Sequence, residues 1–169
     1  MSSLAEGSLA QVEQDYSRPD VHLGAGEEES PWIPLTDDAA TEGGAFLRML
    51  SFDVRTNSFA VVLWVKGGAV IGRHRHRGTV DGYVLEGSWR YLEYDWVARA
   101  GDFIHESPGV VHTLVSDEGT KTVFFLNGPL EFYDDDGNHF LTHDVFYLID
   151  LYLNHCKANN LPVNEKLFR

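Results

Sequence analysis

Between residues 46 and 132 the chain is a succession of short stretches rich in Val, Phe, Tyr and Trp, each ended by a glycine-containing turn. The stretches are 47–52, 59–65, 82–85, 89–94, 102–105, 112–115 and 122–126. Strands at this close spacing, with no long helical pattern between them, predict an all-β fold built as an antiparallel barrel or sandwich. The apolar stretch Pro31-Trp32-Ile33-Pro34-Leu35 predicts an extended segment packed against that body. Residues 1–30 are polar and rich in Gly and Glu, which predicts a loosely ordered arm. After the strands, Asp144 is placed to cap a helix over about 144–159, with an apolar face of Val145, Leu148, Ile149 and Tyr152 and a stop at Pro162. The expectation is one domain over residues 31–169, its barrel spanning about 46–132, closed by a C-terminal helix.

Charge narrows the partners. The net charge of −13 repels phosphate backbones and anionic lipid, so neither nucleic acid nor a membrane surface is expected. No apolar run approaches the length of a membrane span, and residues 1–20 carry Glu6, Glu13 and Asp15 without the basic-then-apolar order of a secretory signal. With Cys156 as the single cysteine, no intramolecular disulfide can form, and a cytoplasmic protein is the expected reading. The acidic runs Glu27-Glu28-Glu29 and Asp134-Asp135-Asp136 read as solvated loops; the second lacks the alternating ligands and terminal Glu of a calcium-binding loop.

Histidines carry the chemistry. His74-Arg75-His76 follows a predicted strand and a glycine pair, and residues two apart on a strand project from one face. A second block, Gly101-Asp102 through Pro108-Gly109 to His112, begins the strand His112-Thr113-Leu114-Val115. The residues between the blocks suffice for one complete hairpin, so the later strand can return beside the earlier one. Three neutral imidazoles would then occupy one side of a cation and leave two or three positions open, as a catalytic site requires. His139, His143 and His155 lack ligand-like partners and read as surface groups.

Through both blocks the chain resembles the cupin superfamily. The first matches at Gly68, His74, His76 and Gly87, the second at Gly101, Gly109 and His112. Departures occur at Val80, where the family usually has a metal-binding Glu, at Pro108, one place late, and at Ser116, usually Asn. A cross-strand substitute for the lost carboxylate is available. If Glu86-Gly87 forms a two-residue hairpin turn, Val80 faces Glu93; another register would place Leu92 or Tyr94 there.

Residues 78–114 further resemble the small cupin dioxygenases that cleave a carbon–carbon bond, typified by 2,4'-dihydroxyacetophenone dioxygenase. Acetylacetone dioxygenases and the cupin half of some zinc-binding anti-sigma factors are more distant. The resemblance implies an Fe(II) enzyme of aromatic compound catabolism that splits an α-hydroxyketone with O₂ into two carboxylic acids, 4-hydroxybenzoate and formate in the type reaction. His74, His76 and His112 would hold the metal, with Glu93 as a fourth ligand or as a base, and Tyr91 on the same inward face. Asp81, His105 and Glu106 are the other possible bases, and Trp89, Trp64, Phe103 and Phe125 candidate cavity walls. Two alternatives stay open: a non-catalytic zinc-binding sensor, and a cupin isomerase or lyase that does not use oxygen. By analogy a homodimer or tetramer is expected.

Overall fold

The computed structural model describes residues 11, 19–35 and 44–169; most of the expected arm and the connection 36–43 lie outside the described residues. The strands, in chain order, are β1 (Trp32–Pro34), β2 (Ala45–Asp53), β3 (Ser58–Lys66), β4 (Ala69–His76), β5 (Val80–Tyr91), β6 (Ala98–Arg99), β7 (Phe103–Glu106), β8 (Val111–Ser116), β9 (Gly119–Asn127), β10 (Leu130–Tyr133) and β11 (His139–His143). They form one curled antiparallel sheet in the order β1-β2-β3-β9-β5-β8-β4-β10-β11, with β6 and β7 also pairing β5. The expected all-β cupin architecture is therefore present.

Alternation drives the curl. On β3, Phe59, Val61, Leu63 and Val65 are buried, and their β9 neighbours Thr120, Thr122, Phe124 and Leu126 are buried too. Both strands thus turn one largely apolar row inward, and the rows share a single core only when the sheet bends around it. The segment 31–35 packs as expected: β1 pairs β2, Ile33 is fully buried, and the Ser30 hydroxyl donates to Met49 O at 2.7 Å.

Two expectations need correction. Glu86-Gly87 is not a hairpin turn, because β5 runs on to Tyr91 through a register shift between Val84 and Glu86. Gly87 has φ +69°, and a Cβ there would stand 2.0 Å from Gly119 O. The glycine serves a bulge and the close passage of β9 rather than a chain reversal. The barrel also continues past residue 132, since β11 pairs β10. The acidic run lies in the turn between them, where Asp134 Oδ1 accepts from Asn138 N at 2.7 Å.

The helix α1 (Val145–Asn159) starts at the expected cap, with Asp144 Oδ1 accepting from Tyr147 N at 2.8 Å. It ends at Asn160, whose left-handed backbone (φ 58°) closes the helix two residues before Pro162. Val145, Leu148, Tyr152 and Cys156 are buried against the sheet, so α1 covers one end of the barrel.

Candidate metal centre

β4 and β8 lie side by side, and His74 is directly paired with His112. His76, two residues further on β4, shares their face. All three imidazoles are buried, and they offer ligand atoms that lie within 4.8 Å of one another. The convergence expected from the two sequence blocks is present in the fold.

The protonation chemistry suits a cation. His74 Nδ1 lies 2.8 Å from Gly72 O, so it donates there and Nε2 remains a free lone pair. Burial, followed by the neighbouring His76 and His112 rings, lowers the His74 pKa to about 3. Burial likewise lowers that of His112 to about 4, against the pull of Glu106. Both rings are neutral at physiological pH, the form that binds metal.

The carboxylate beside them is Glu106, on β7. Its backbone pairs with Val80, the position at which the cupin pattern usually carries its glutamate. Glu106 Oε2 lies 2.9 Å from His76 Nε2 and 3.7 Å from His112 Nε2. Yet Oε2 receives no hydrogen bond, and His112 Nε2 and His76 Nδ1 are also buried without partners. Two donors about 2.1 Å from one ion and at right angles stand about 3 Å apart, facing a common point instead of each other. The unpaired Oε2 and Nε2 atoms have that character, so the donor set fits a divalent metal.

Tyr91 holds this arrangement from below. Its ring stacks on His112 with centroids 3.7 Å apart and planes 6° from parallel, and its hydroxyl donates to Glu106 Oε1 at 2.5 Å. Burial, reinforced by the Glu106 charge, pushes its pKa well up, so it stays a donor. Burial pushes the Glu106 carboxyl up as well, but the adjacent His76 ring and the Tyr91 hydroxyl outweigh it and hold the group below its usual range.

The structure does not bring Glu93 to the histidines. β5 ends at Tyr91, and the exposed Glu93 carboxylate accepts from Thr113 N at 2.9 Å. The alternatives Leu92 and Tyr94 are exposed as well. Asp81 and His105 form an exposed pair 2.7 Å apart on the outer face. Among the expected walls, Phe103 and Phe125 are exposed and Trp64 stacks on Phe46, so none of the three lines the cavity; Trp89 is buried behind Tyr91. His143, read as a surface group, is packed between Phe132 and Tyr147.

Above the cluster lies a cavity of about 250 Å³. His74, His76, Tyr91 and Glu106 line it at one side, and Phe59, Val61, Leu63, Phe124 and Leu126 supply apolar wall. Phe132, His143 and Tyr147 close the side nearest α1. Such a chamber admits a small, mainly apolar molecule.

Residues 22–131 match the ChrR cupin-like domain. The chain belongs to that cupin family. No functionally curated protein matches it. Among solved structures it is similar to an RmlC-like cupin protein from Ralstonia eutropha JMP134, at 29% identity, TM-score 0.79, and 88% and 94% coverage of this chain and that one. It is also similar to an acetylacetone dioxygenase from Acinetobacter johnsonii, at 19% identity, TM-score 0.70, and 82% and 93% coverage. A cupin-like protein of unknown function from Ralstonia eutropha JMP134 superposes with TM-score 0.71 at 20% identity, over 85% of this chain and 90% of that one. At 19% and 20% identity the likeness is one of fold.

Proposed function

We propose that His74, His76, His112 and Glu106 hold one Fe(II) ion and that the protein is a dioxygenase cleaving a carbon–carbon bond of a small hydroxyketone, similar to 2,4'-dihydroxyacetophenone. The observation that carries this reading is the pairing of unpartnered Glu106 and His112 donor atoms with an apolar cavity directly beside them. A structural metal site has its donors closed around the ion, whereas this cluster opens onto space for an organic molecule.

Bound there, Fe(II) would supply Lewis acidity toward a chelating hydroxyketone and electrons for oxygen chemistry. The chain's own residues do the rest. Gly72 fixes the His74 tautomer, Tyr91 orients His112 and Glu106, and the apolar walls exclude water from the reacting end. Glu106 brings only a single negative charge to the three rings, so a divalent ion held there would keep net positive charge to stabilise the deprotonated substrate. The overall reaction, an α-hydroxyketone with O₂ giving two carboxylic acids, uses both oxygen atoms and needs no added reductant.

The match to the ChrR cupin-like domain supports a second reading, a non-catalytic zinc-binding sensor. Anaerobic purification, metal quantification and an oxygen-electrode assay with hydroxyketones and β-diketones separate the two. With an α-hydroxyketone, the dioxygenase predicts one O₂ consumed per substrate and two acids formed. Tightly held zinc, and iron-loaded protein that consumes no oxygen with any of these ketones, would favour the sensor.

A further inference from the structure

Leu130 on β10 is paired with His76 on one side and with His143 on the other. Directly paired residues on neighbouring antiparallel strands project to the same face, so His143 faces the interior that His76 faces. Two strand spacings separate their backbones by about 10 Å. Between the two ends stands Phe132, its ring centroid 5.5 Å from that of His74 and 4.6 Å from that of His143. Tyr147 of α1 stacks on the His143 ring at 4.2 Å and 11°, which fixes its plane.

His143 Nε2 is buried and has no hydrogen-bond partner. Buried polar atoms are normally paired, and one left unpaired on a cavity wall marks a place for a ligand atom. The walls between the histidine cluster and His143 include Leu130, Phe132, Leu141 and Leu148, none of which carries a polar side-chain atom. The cavity is therefore polar at two opposite ends and apolar between them. Burial lowers the His143 pKa to about 4, so the ring is neutral and its Nε2 can pair with a hydroxyl as donor or acceptor.

We propose that His143 is the specificity-determining residue of this cavity, its Nε2 hydrogen-bonding a hydroxyl at the far end of the ligand from the histidine cluster. The ligand class is a small, mainly apolar compound with polar groups at opposite ends, of which a para-hydroxyaryl ketone is one example. Which chemistry occurs at the ketone end rests on the dioxygenase reading; the contact at His143 does not.

The test compares 4-hydroxyacetophenone with acetophenone, neither of which carries the α-hydroxyl needed for turnover. Each is titrated calorimetrically into the full-length chain, metal-free and loaded with Zn(II). The hydroxylated ligand is expected to bind about tenfold tighter to the wild type. His143→Phe should erase that preference, and His143→Gln should restore part of it. In wild-type protein with ¹⁵N-labelled histidine, the His143 Nε2 resonance should shift with 4-hydroxyacetophenone and not with acetophenone. An equal preference in wild type and a folded His143→Phe, or an Nε2 resonance indifferent to the hydroxyl, overturns the proposal. Because the contrast is expected with or without metal, failure of the iron reading leaves this result readable.

Discussion

Tyr91 lies flat on His112, at 3.7 Å and 6°, and with the same side chain donates its hydroxyl to Glu106. One residue thus sets the plane of an imidazole and the rotamer of the buried carboxylate beside it. Tyr91→Phe keeps the stack and removes the donor. We expect a stability loss of about 1–3 kcal/mol in urea denaturation, because a buried carboxylate oxygen loses its partner. Metal affinity, read by competition with a chelator, should fall about tenfold. Unchanged affinity in a folded Tyr91→Phe protein would mean that the hydroxyl plays no part in holding the site.

Glu106 and Glu93 make opposite forecasts. Glu106→Gln removes the charge whose Oε2 lies 2.9 Å from His76 Nε2, whereas Glu93→Gln alters an exposed contact to Thr113 N. Iron or zinc affinity should drop about tenfold or more for Glu106→Gln and hardly change for Glu93→Gln. A larger loss for Glu93→Gln would reverse the assignment.

Metal should stabilise the fold. A divalent ion that binds only the folded chain, at about a hundred times its dissociation constant, adds about 2.7 kcal/mol. Thermal melts with Fe(II) or Zn(II), followed by chelator, should show that gain and its reversal. His112→Ala should leave a folded barrel whose melting temperature no longer responds to metal. A variant that retained full metal content would take His112 out of the site.

His143 gives a pH dependence. Burial lowers its folded pKa to about 4, with Asp144 pulling the other way, while an unfolded histidine titrates near 6.5. Above pH 6.5 both states are neutral and the group costs nothing. As pH falls from about 6.5 toward 4 the unfolded chain takes up a proton that the folded chain refuses, so stability declines, by at most about 1.4 kcal/mol per pH unit. Below about 4 the decline from this group stops. Asp144, the cap of α1, and Tyr147 in its first turn lie beside it, and neither is replaced in the comparison. Metal-free His143→Phe should therefore show a shallower loss than wild type between pH 6 and 4.5, measured by denaturation at fixed ionic strength. Parallel curves would show that the half-buried ring does not control this window.

Short-range features are legible in the sequence. The strand pattern, the docking of residues 31–35, the Asp144 cap and the sharing of a face by His74 and His76 all follow from periodicity and capping chemistry within a few residues. Glu93 shows where that logic stops. Val80 does face a glutamate across the ladder, but the partner strand is β7 and not a continuation of β5. A bulge at Glu86 and Gly87 resembles a turn in one dimension, because both use a glycine with positive φ. His143 escaped for a related reason: β11 follows a charged turn, and its neighbour Leu130 gives no hint that it also pairs with His76.

From residue order alone came the all-β class, the three imidazoles and the helix that follows the strands, because each depends on local periodicity or on a compact motif. Only the tertiary structure decided which carboxylate stands beside those imidazoles, which aromatic rings line the cavity and which histidine faces it from the far side. These depend on strand pairing across long stretches of chain. A one-residue shift of register there exchanges inside for outside.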